Sequence, residues 1–148
     1  MKNLRIRQAG PSDLATVARI EAACFRAADR SEPRAMRRSL NSGFQSVWLA
    51  SIGRDPVACL FLFHYPRTLR IYSIAVLPEF QGRGIGRRLV AYTLQLAEKS
   101  GHRAVSLEAD AANHLLIRWY RQLGFTPRET LPGYYTPTRP ALRLCRDL

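Results

Sequence analysis

The stretch Ile74-Ala75-Val76-Leu77-Pro78-Glu79-Phe80-Gln81-Gly82-Arg83-Gly84-Ile85-Gly86-Arg87-Arg88 decides how this chain is read. An apolar run ends at Val76, Pro78 breaks it, three glycines follow within five positions, and an amphipathic pattern starts at Ile85. Strand, glycine-rich turn and helix start, in that order, make an anion site. Glycines let the backbone approach a ligand, first-turn N–H groups donate, and the helix dipole favours negative charge. Arg83, Arg87 and Arg88 add cations suited to a diphosphate. Two familiar phosphate loops are excluded by spacing. A P-loop requires Lys and Ser or Thr after its last glycine, whereas Gly86 is followed by Arg87-Arg88. A dinucleotide fold requires G-x-G-x-x-G, and the spacing here is G-x-G-x-G. Glu108 does fall at the end of the next strand, where a ribose-binding acid would sit, but too little chain remains for a doubly wound sheet.

Outward from this loop the periodicities alternate. Residues 4–7 read as a strand. Pro11-Ser12-Asp13 opens a helix with Ser12 as its cap and a stripe of Leu14, Val17, Ala18, Ile20 and Ala22. Glu32-Pro33 starts a short helix through Met36 and Leu40. Residues 47–52, 57–65 and 69–76 are three consecutive strands with turns between them. The helix after the glycine loop runs to Ser100, and its buried stripe is expected at Ile85, Leu89, Tyr92 and Leu96, flanked by Val90 and Thr93. A strand at 104–109 follows. The helix from Asn113 to Leu123 then buries Leu116, Trp119, Tyr120 and Leu123. Strands at 125–129 and 141–145 close the chain, and the Pro-rich residues 131–140, with Tyr134 and Tyr135, read as a loop. The order β-α-α-β-β-β-α-β-α-β-β implies a mixed sheet with helices packed on it.

The 148 residues suit one domain, 1–148, and a 47 % hydrophobic content excludes global disorder. The apolar run 57–63 is far shorter than a membrane span of about 20 residues. Met1-Lys2-Asn3-Leu4-Arg5 shows no export signal. Cys24, Cys59 and Cys145 lack zinc spacing and read as reduced core thiols of a cytoplasmic protein, with no metal expected. The net charge of +12 is almost all arginine. It permits an anionic partner such as RNA, a ribosomal surface or a phosphorylated ligand, although dispersed arginine is also ordinary solvated surface. The linear sequence shows no basic stripe interleaved with aromatics, so nucleic-acid binding is not the favoured reading.

The motifs together resemble the GNAT N-acetyltransferase family. Gln81-Gly82-Arg83-Gly84-Ile85-Gly86 after Ile74-Ala75-Val76 looks like its Q/R-x-x-G-x-G/A acetyl-CoA loop. Leu107-Glu108, Asn113 and Trp119-Tyr120-Arg121-Gln122-Leu123-Gly124-Phe125 are similar to the "LEV…N…LY..LGF" stretch of the RimI-like branch, the ribosomal-protein-alanine N-acetyltransferases, which acetylates protein N-termini. Tyr134-Tyr135 is similar to the double tyrosine before the last strand of that branch. The resemblance covers essentially the whole chain. It implies an α/β fold of the α+β type: a mixed, mostly antiparallel sheet, splayed between parallel strands 69–76 and 104–109 and flanked by about four helices. The pantetheine arm of the co-substrate acetyl-CoA would enter that splay. The backbone of Ile74, Ala75 and Val76 would pair with the pantetheine amides, and Gly82, Arg83, Gly84, Ile85, Gly86 and Arg87 would hold the pyrophosphate. Asn113 would touch the cofactor through its amide. Glu108 would be the general base, through water, and Tyr120 the general acid toward the departing thiolate.

Without the family, the same residues suit plainer roles. Glu108 is equally a surface acid paired to arginine, Tyr120 on spacing alone is core, and Asn113 is a helix N-cap. Tyr134 and Tyr135 either line an acceptor groove or pack, and His64, His102 and His114 stand alone. The acceptor follows from proton affinity. An α-amine of pKa near 8 is about 10 % neutral at pH 7, and lysine about 0.04 %, so a single carboxylate base suits a protein N-terminus, and the resemblance implies ribosomal proteins among such acceptors. Residues 136–140 lack the acids found there in that branch. This basic lip keeps a small amine or amino acid open as acceptor. The other classes are a basic RNA- or ribosome-associated module without turnover and a cofactor sensor.

Overall fold

The computed structural model describes residues 3–148. Its elements are β1 (Leu4–Gln8), α1 (Leu14–Cys24), α2 (Pro33–Asn41), β2 (Gln45–Ile52), β3 (Asp55–His64), β4 (Thr68–Val76), α3 (Ile85–Lys99), β5 (Ala104–Asp110), α4 (His114–Gln122), β6 (Thr126–Thr136) and β7 (Arg139–Asp147). That is the order the periodicities predict. The strands form a seven-stranded mixed sheet ordered β1-β2-β3-β4-β5-β7-β6. The pairs β1–β2, β2–β3, β5–β7 and β6–β7 are antiparallel. Strands β4 and β5 are parallel from Thr68↔Ala104 to Ile71↔Leu107, and both run on past that register. No helix among the described residues is long and apolar enough to cross a membrane.

The chain divides into two compact units, one running through His64 and including Tyr72–Tyr92, the other comprising Tyr65–Ile71 and Thr93–Leu148. The first unit's core gathers Val17 and Ile20 of α1, Met36 and Leu40 of α2, and Leu49, Phe61 and Ala75 of the strands. Helical spacing puts each helix pair on one face, and each buried Leu, Ile or Phe contributes about 1.5–3 kcal/mol. Pro33 sits in the first turn of α2, where a missing N–H is tolerated. The entry to α1 differs from expectation. Ser12 makes no cap; the Asp13 carboxylate accepts the Gly10 N–H at 2.9 Å and binds Arg7 at 2.8 Å. Ala22 is exposed, and Glu21 is buried in its place because the Ser31 N–H and hydroxyl satisfy its carboxylate.

On α3 the buried positions are Ile85, Leu89, Val90, Thr93 and Ala97, while Tyr92 and Leu96 are half-buried. Four-residue steps from Ile85 to Ala97 carry the stripe around the helix, leaving Tyr92 and Leu96 at its edge. In the second unit Leu69, Leu107, Tyr120, Phe125 and Leu144 are buried. On α4 only Tyr120 is buried; Leu116, Trp119 and Leu123 are half-buried. The expected loop at 131–140 is mostly strand. Strand β6 continues to Thr136 and pairs with β7 at Leu131↔Ala141 and Thr136↔Arg139, across a register shift. Because β6 ends the strand order, Pro127 and Pro132 need no ladder hydrogen bond on its outer side. Of the cysteines only Cys59 is core; Cys24 and Cys145 are half-buried.

Candidate active site

The glycine loop lies in the first unit. Ala75 is buried at the end of β4, with Ile74 and Val76 half-buried beside it. The Val76 carbonyl accepts the Cys24 thiol at 3.2 Å and the Gln81 side-chain amide at 3.0 Å, which folds Gln81 back onto the strand. Gly82 (φ +77°) and Gly84 (φ +84°) take the left-handed conformation that other residues avoid. Gly86, by contrast, lies inside α3. The Ile85 side chain is core, so only its N–H faces the turn's anion role. Arg83 stands 5.0 Å over the Phe80 ring, and Arg83 and Arg87 are exposed. Two left-handed glycines opening onto the N-terminus of a 15-residue helix, with the exposed guanidiniums of Arg83 and Arg87 beside them in the chain, fit a diphosphate.

The proposed acid–base pair lies in the second unit. Glu108 is not at the surface: its side chain is 4 % exposed. Arg70 Nε donates to one carboxylate oxygen at 2.6 Å and Arg143 Nε to the other at 3.0 Å. Arg143 stands directly opposite Glu108 in the β5–β7 register, and Arg70, opposite Ser106 on β4, reaches it diagonally. The Arg70 Nη2 also donates to the Tyr134 hydroxyl at 2.7 Å, and Arg143 reaches Glu129. Burial works against the Arg70 charge, but the charge and hydrogen bond of Glu108 outweigh it and raise its proton affinity. Each Glu108 oxygen keeps a second lone pair beyond its arginine bond.

Tyr120 is buried on α4, edge-on to Trp119 at 4.9 Å and to Phe125 at 5.7 Å. Burial, reinforced by Tyr135, pushes its phenol well above the ordinary value. Its hydroxyl has no hydrogen-bond partner among the described residues. Tyr135 is pushed up to about 12 by burial, then by Tyr134, Asp110 and Glu108, with Arg139 opposing. Tyr134 and Tyr135 meet edge-on at 4.8 Å, and Arg139 lies 5.0 Å over the Tyr135 ring. The lip at 136–140 is not left basic: Asp110 accepts Arg139 Nε and Nη2, both at 3.2 Å. Asn113 is the N-cap of α4, its Oδ1 accepting the Leu116 N–H at 3.2 Å.

The expected site residues thus fall into two groups, Ile74 to Arg87 in one unit and Glu108, Asn113 and Tyr120 in the other. Sequence reasoning does not find Arg70 and Arg143 as the partners of Glu108. The two arginines look like any others of this arginine-rich chain until strand register is known.

The profile of the Acetyltransferase (GNAT) family matches residues 14–125, a span running through both units. The [ribosomal protein bS18]-alanine N-acetyltransferase of Escherichia coli (strain K12) is 35% identical over 68 residues, 46% of this chain and 46% of that protein. An uncharacterized N-acetyltransferase of Methanocaldococcus jannaschii is 33% identical over 87 residues, 59% of this chain and 34% of that one. This chain therefore spans less than half the length of these curated relatives. The crystal structure of the ribosomal-protein-S18-alanine N-acetyltransferase from Escherichia coli matches with a TM-score of 0.88 at 22% identity, covering 97% of this chain and 93% of that one. Arabidopsis thaliana NAA60 in complex with acetyl-CoA matches with a TM-score of 0.84 at 19% identity, covering 98% of each chain. At such identities the likeness to solved structures is one of fold.

Proposed function

This chain belongs to the GNAT acetyltransferase family, and on that footing we propose that it transfers the acetyl group of acetyl-CoA to a primary amine, with a protein N-terminal α-amine as acceptor. The observation that carries the reading is Tyr120, a buried phenol on α4, inside the segment the family profile matches. Acetyl-CoA supplies an activated thioester: the new C–N bond replaces the C–S bond, the amine loses a proton and the thiolate gains one. The Gly82 to Arg87 backbone and the guanidiniums of Arg83 and Arg87 hold the diphosphate. Ile74 and Ala75 present strand backbone to the pantetheine amides, and Val76 does so through its N–H, its carbonyl being already occupied. Asn113, beyond capping α4, offers its side-chain NH2 to the cofactor. Tyr120 gives its proton to the leaving sulfur. Burial makes that phenol a reluctant donor, but a thiolate formed in the same desolvated surroundings binds a proton more tightly as well. Glu108 takes the amine proton through a water on its remaining lone pairs, its carboxylate oriented by Arg70 and Arg143.

An α-amine is the acceptor best matched to one base so engaged, because about a tenth of it is already neutral at pH 7. The E. coli relative's name supplies the first candidate, an N-terminal alanine of a ribosomal protein. The test is acetyl transfer followed by mass spectrometry on three acceptors: a peptide with free N-terminal alanine, the same peptide N-blocked with an internal lysine, and free amino acids. Acetylation of the first alone is expected. Turnover confined to free amino acids refutes the peptide acceptor, and no turnover despite acetyl-CoA binding refutes the enzyme.

A further inference from the structure

Arg34, Arg37, Arg38 and Asn41 stand at i, i+3, i+4 and i+7 on α2, one face of the helix, opposite the buried Met36 and Leu40. With Ser42 and Gln45 they line an open concavity of about 470 Å³. All three arginines are exposed, and none has an ion-pair partner among the described residues. Two other arginines of the same unit are tied down: Arg7 binds Asp13 at 2.8 Å, and Arg30 binds the Phe25 and Ala22 carbonyls at 2.9 and 3.0 Å. Next in the chain comes Phe44, 77% exposed. Its backbone is pinned, the N–H donating to Ser42 Oγ at 3.0 Å and the carbonyl accepting the His64 N–H at 2.7 Å. Phe44 thus carries an exposed aromatic ring in the chain between Ser42 and Gln45, two residues that line the concavity.

We propose that this face binds a single-stranded stretch of RNA, with the arginines on successive phosphates and a base stacked on Phe44. Guanidinium forks match phosphate oxygens. The amides of Asn41 and Gln45 are neutral groups that suit base edges rather than further charge. An aromatic face beside a cationic groove is the arrangement that holds unpaired bases. An acidic peptide satisfies the arginines but leaves Phe44 idle, and a duplex keeps its bases stacked away from a lone ring. The net charge of +12 draws any polyanion toward the chain, and α2 gathers three exposed arginines on one helix face. This binding goes beyond acetyl transfer and does not rest on it.

Fluorescence anisotropy of the full chain with a labelled 12-nucleotide RNA, from 50 to 200 mM KCl, tests the site. The variants are R34Q/R37Q/R38Q, Phe44→Ala, and the charge-matched control R5Q/R54Q/R103Q on exposed arginines elsewhere. Loss of three phosphate contacts lowers the slope of log K against log salt by about 2 for a single strand. The α2 triple variant is expected to bind at least tenfold more weakly, with that smaller slope. Phe44→Ala should lose about fivefold or more with its slope unchanged, and the control should stay within threefold. Equal losses in the control and the α2 triple variant overturn the site in favour of bulk charge. A polyglutamate peptide binding as tightly as RNA, through the same arginines, makes the partner acidic protein instead. No binding at 50 mM KCl ends the proposal. Thermal melting checks each variant's fold, and Arg37→Gln with Phe44→Ala carries the same reading should the triple variant melt early.

Discussion

Glu108→Gln is expected to cost stability as well as chemistry. The parent carboxylate is 4 % exposed and bridges two guanidiniums at 2.6 and 3.0 Å, Arg70 being 19% exposed and Arg143 37%. Removing one partner of a buried ion pair costs about 3–5 kcal/mol. The more exposed Arg143 retains its bond to Glu129 and loses only about 0–1 kcal/mol. Glutamine keeps one acceptor oxygen but turns an NH2 donor toward a guanidinium that also only donates. A net cost of about 2–4 kcal/mol follows, the Arg70 side dominating. At about 2–4 °C per kcal/mol for a chain of this size, Tm should fall by roughly 4–16 °C. Differential scanning calorimetry at pH 7 measures this, with Glu129→Gln, an exposed partner, expected within 2 °C of the parent. Adding Arg70→Gln to Glu108→Gln removes the stranded cation, so the double variant should be less destabilised than the two single changes summed. A Glu108→Gln protein melting within 2 °C of the parent would show that the two arginines do not hold the carboxylate. Activity must be compared well below the variant's own Tm, or unfolding will pass for lost catalysis.

Tyr120→Phe should lower kcat at least tenfold while keeping the thermal shift given by acetyl-CoA. The folded phenol's proton affinity is raised, so the unfolded chain ionises first as pH climbs past about 10. The parent should therefore lose stability relative to Tyr120→Phe above that pH and not below it. Gly84→Ala meets no atom within 4 Å, so its penalty is the left-handed backbone alone, about 1–2 kcal/mol. Calorimetry should show a drop of about 2–8 °C, and titration a weaker hold on acetyl-CoA. Asp13 is held below its ordinary pKa by Arg7 and then by the Gly10 N–H. Its contribution is present above about pH 4 and lost below, so the Tm gap between parent and Asp13→Asn should close as pH falls through that range. In the native protein Cys59 should resist alkylation at pH 8, because burial keeps its thiol protonated.

Local patterns by themselves determined the order of the eleven strands and helices, the glycine-rich turn between β4 and α3, and the cap at Asn113. Each is a matter of a few consecutive residues: the period of an apolar stripe, a φ that only glycine accepts, a side chain reaching the N–H three residues on. The setting of Glu108 needed the tertiary structure. Its partners lie 38 residues before it and 35 after, and only the registers of β4 and β7 against β5 choose them from the many arginines. The same holds for Asp110, which neutralises Arg139 across 29 residues and turns an apparently basic lip into an ion pair. It holds also for β6, whose prolines read as a loop until the strand order shows it at the sheet's edge. Strand register is set by pairing between distant segments, and no local period records it.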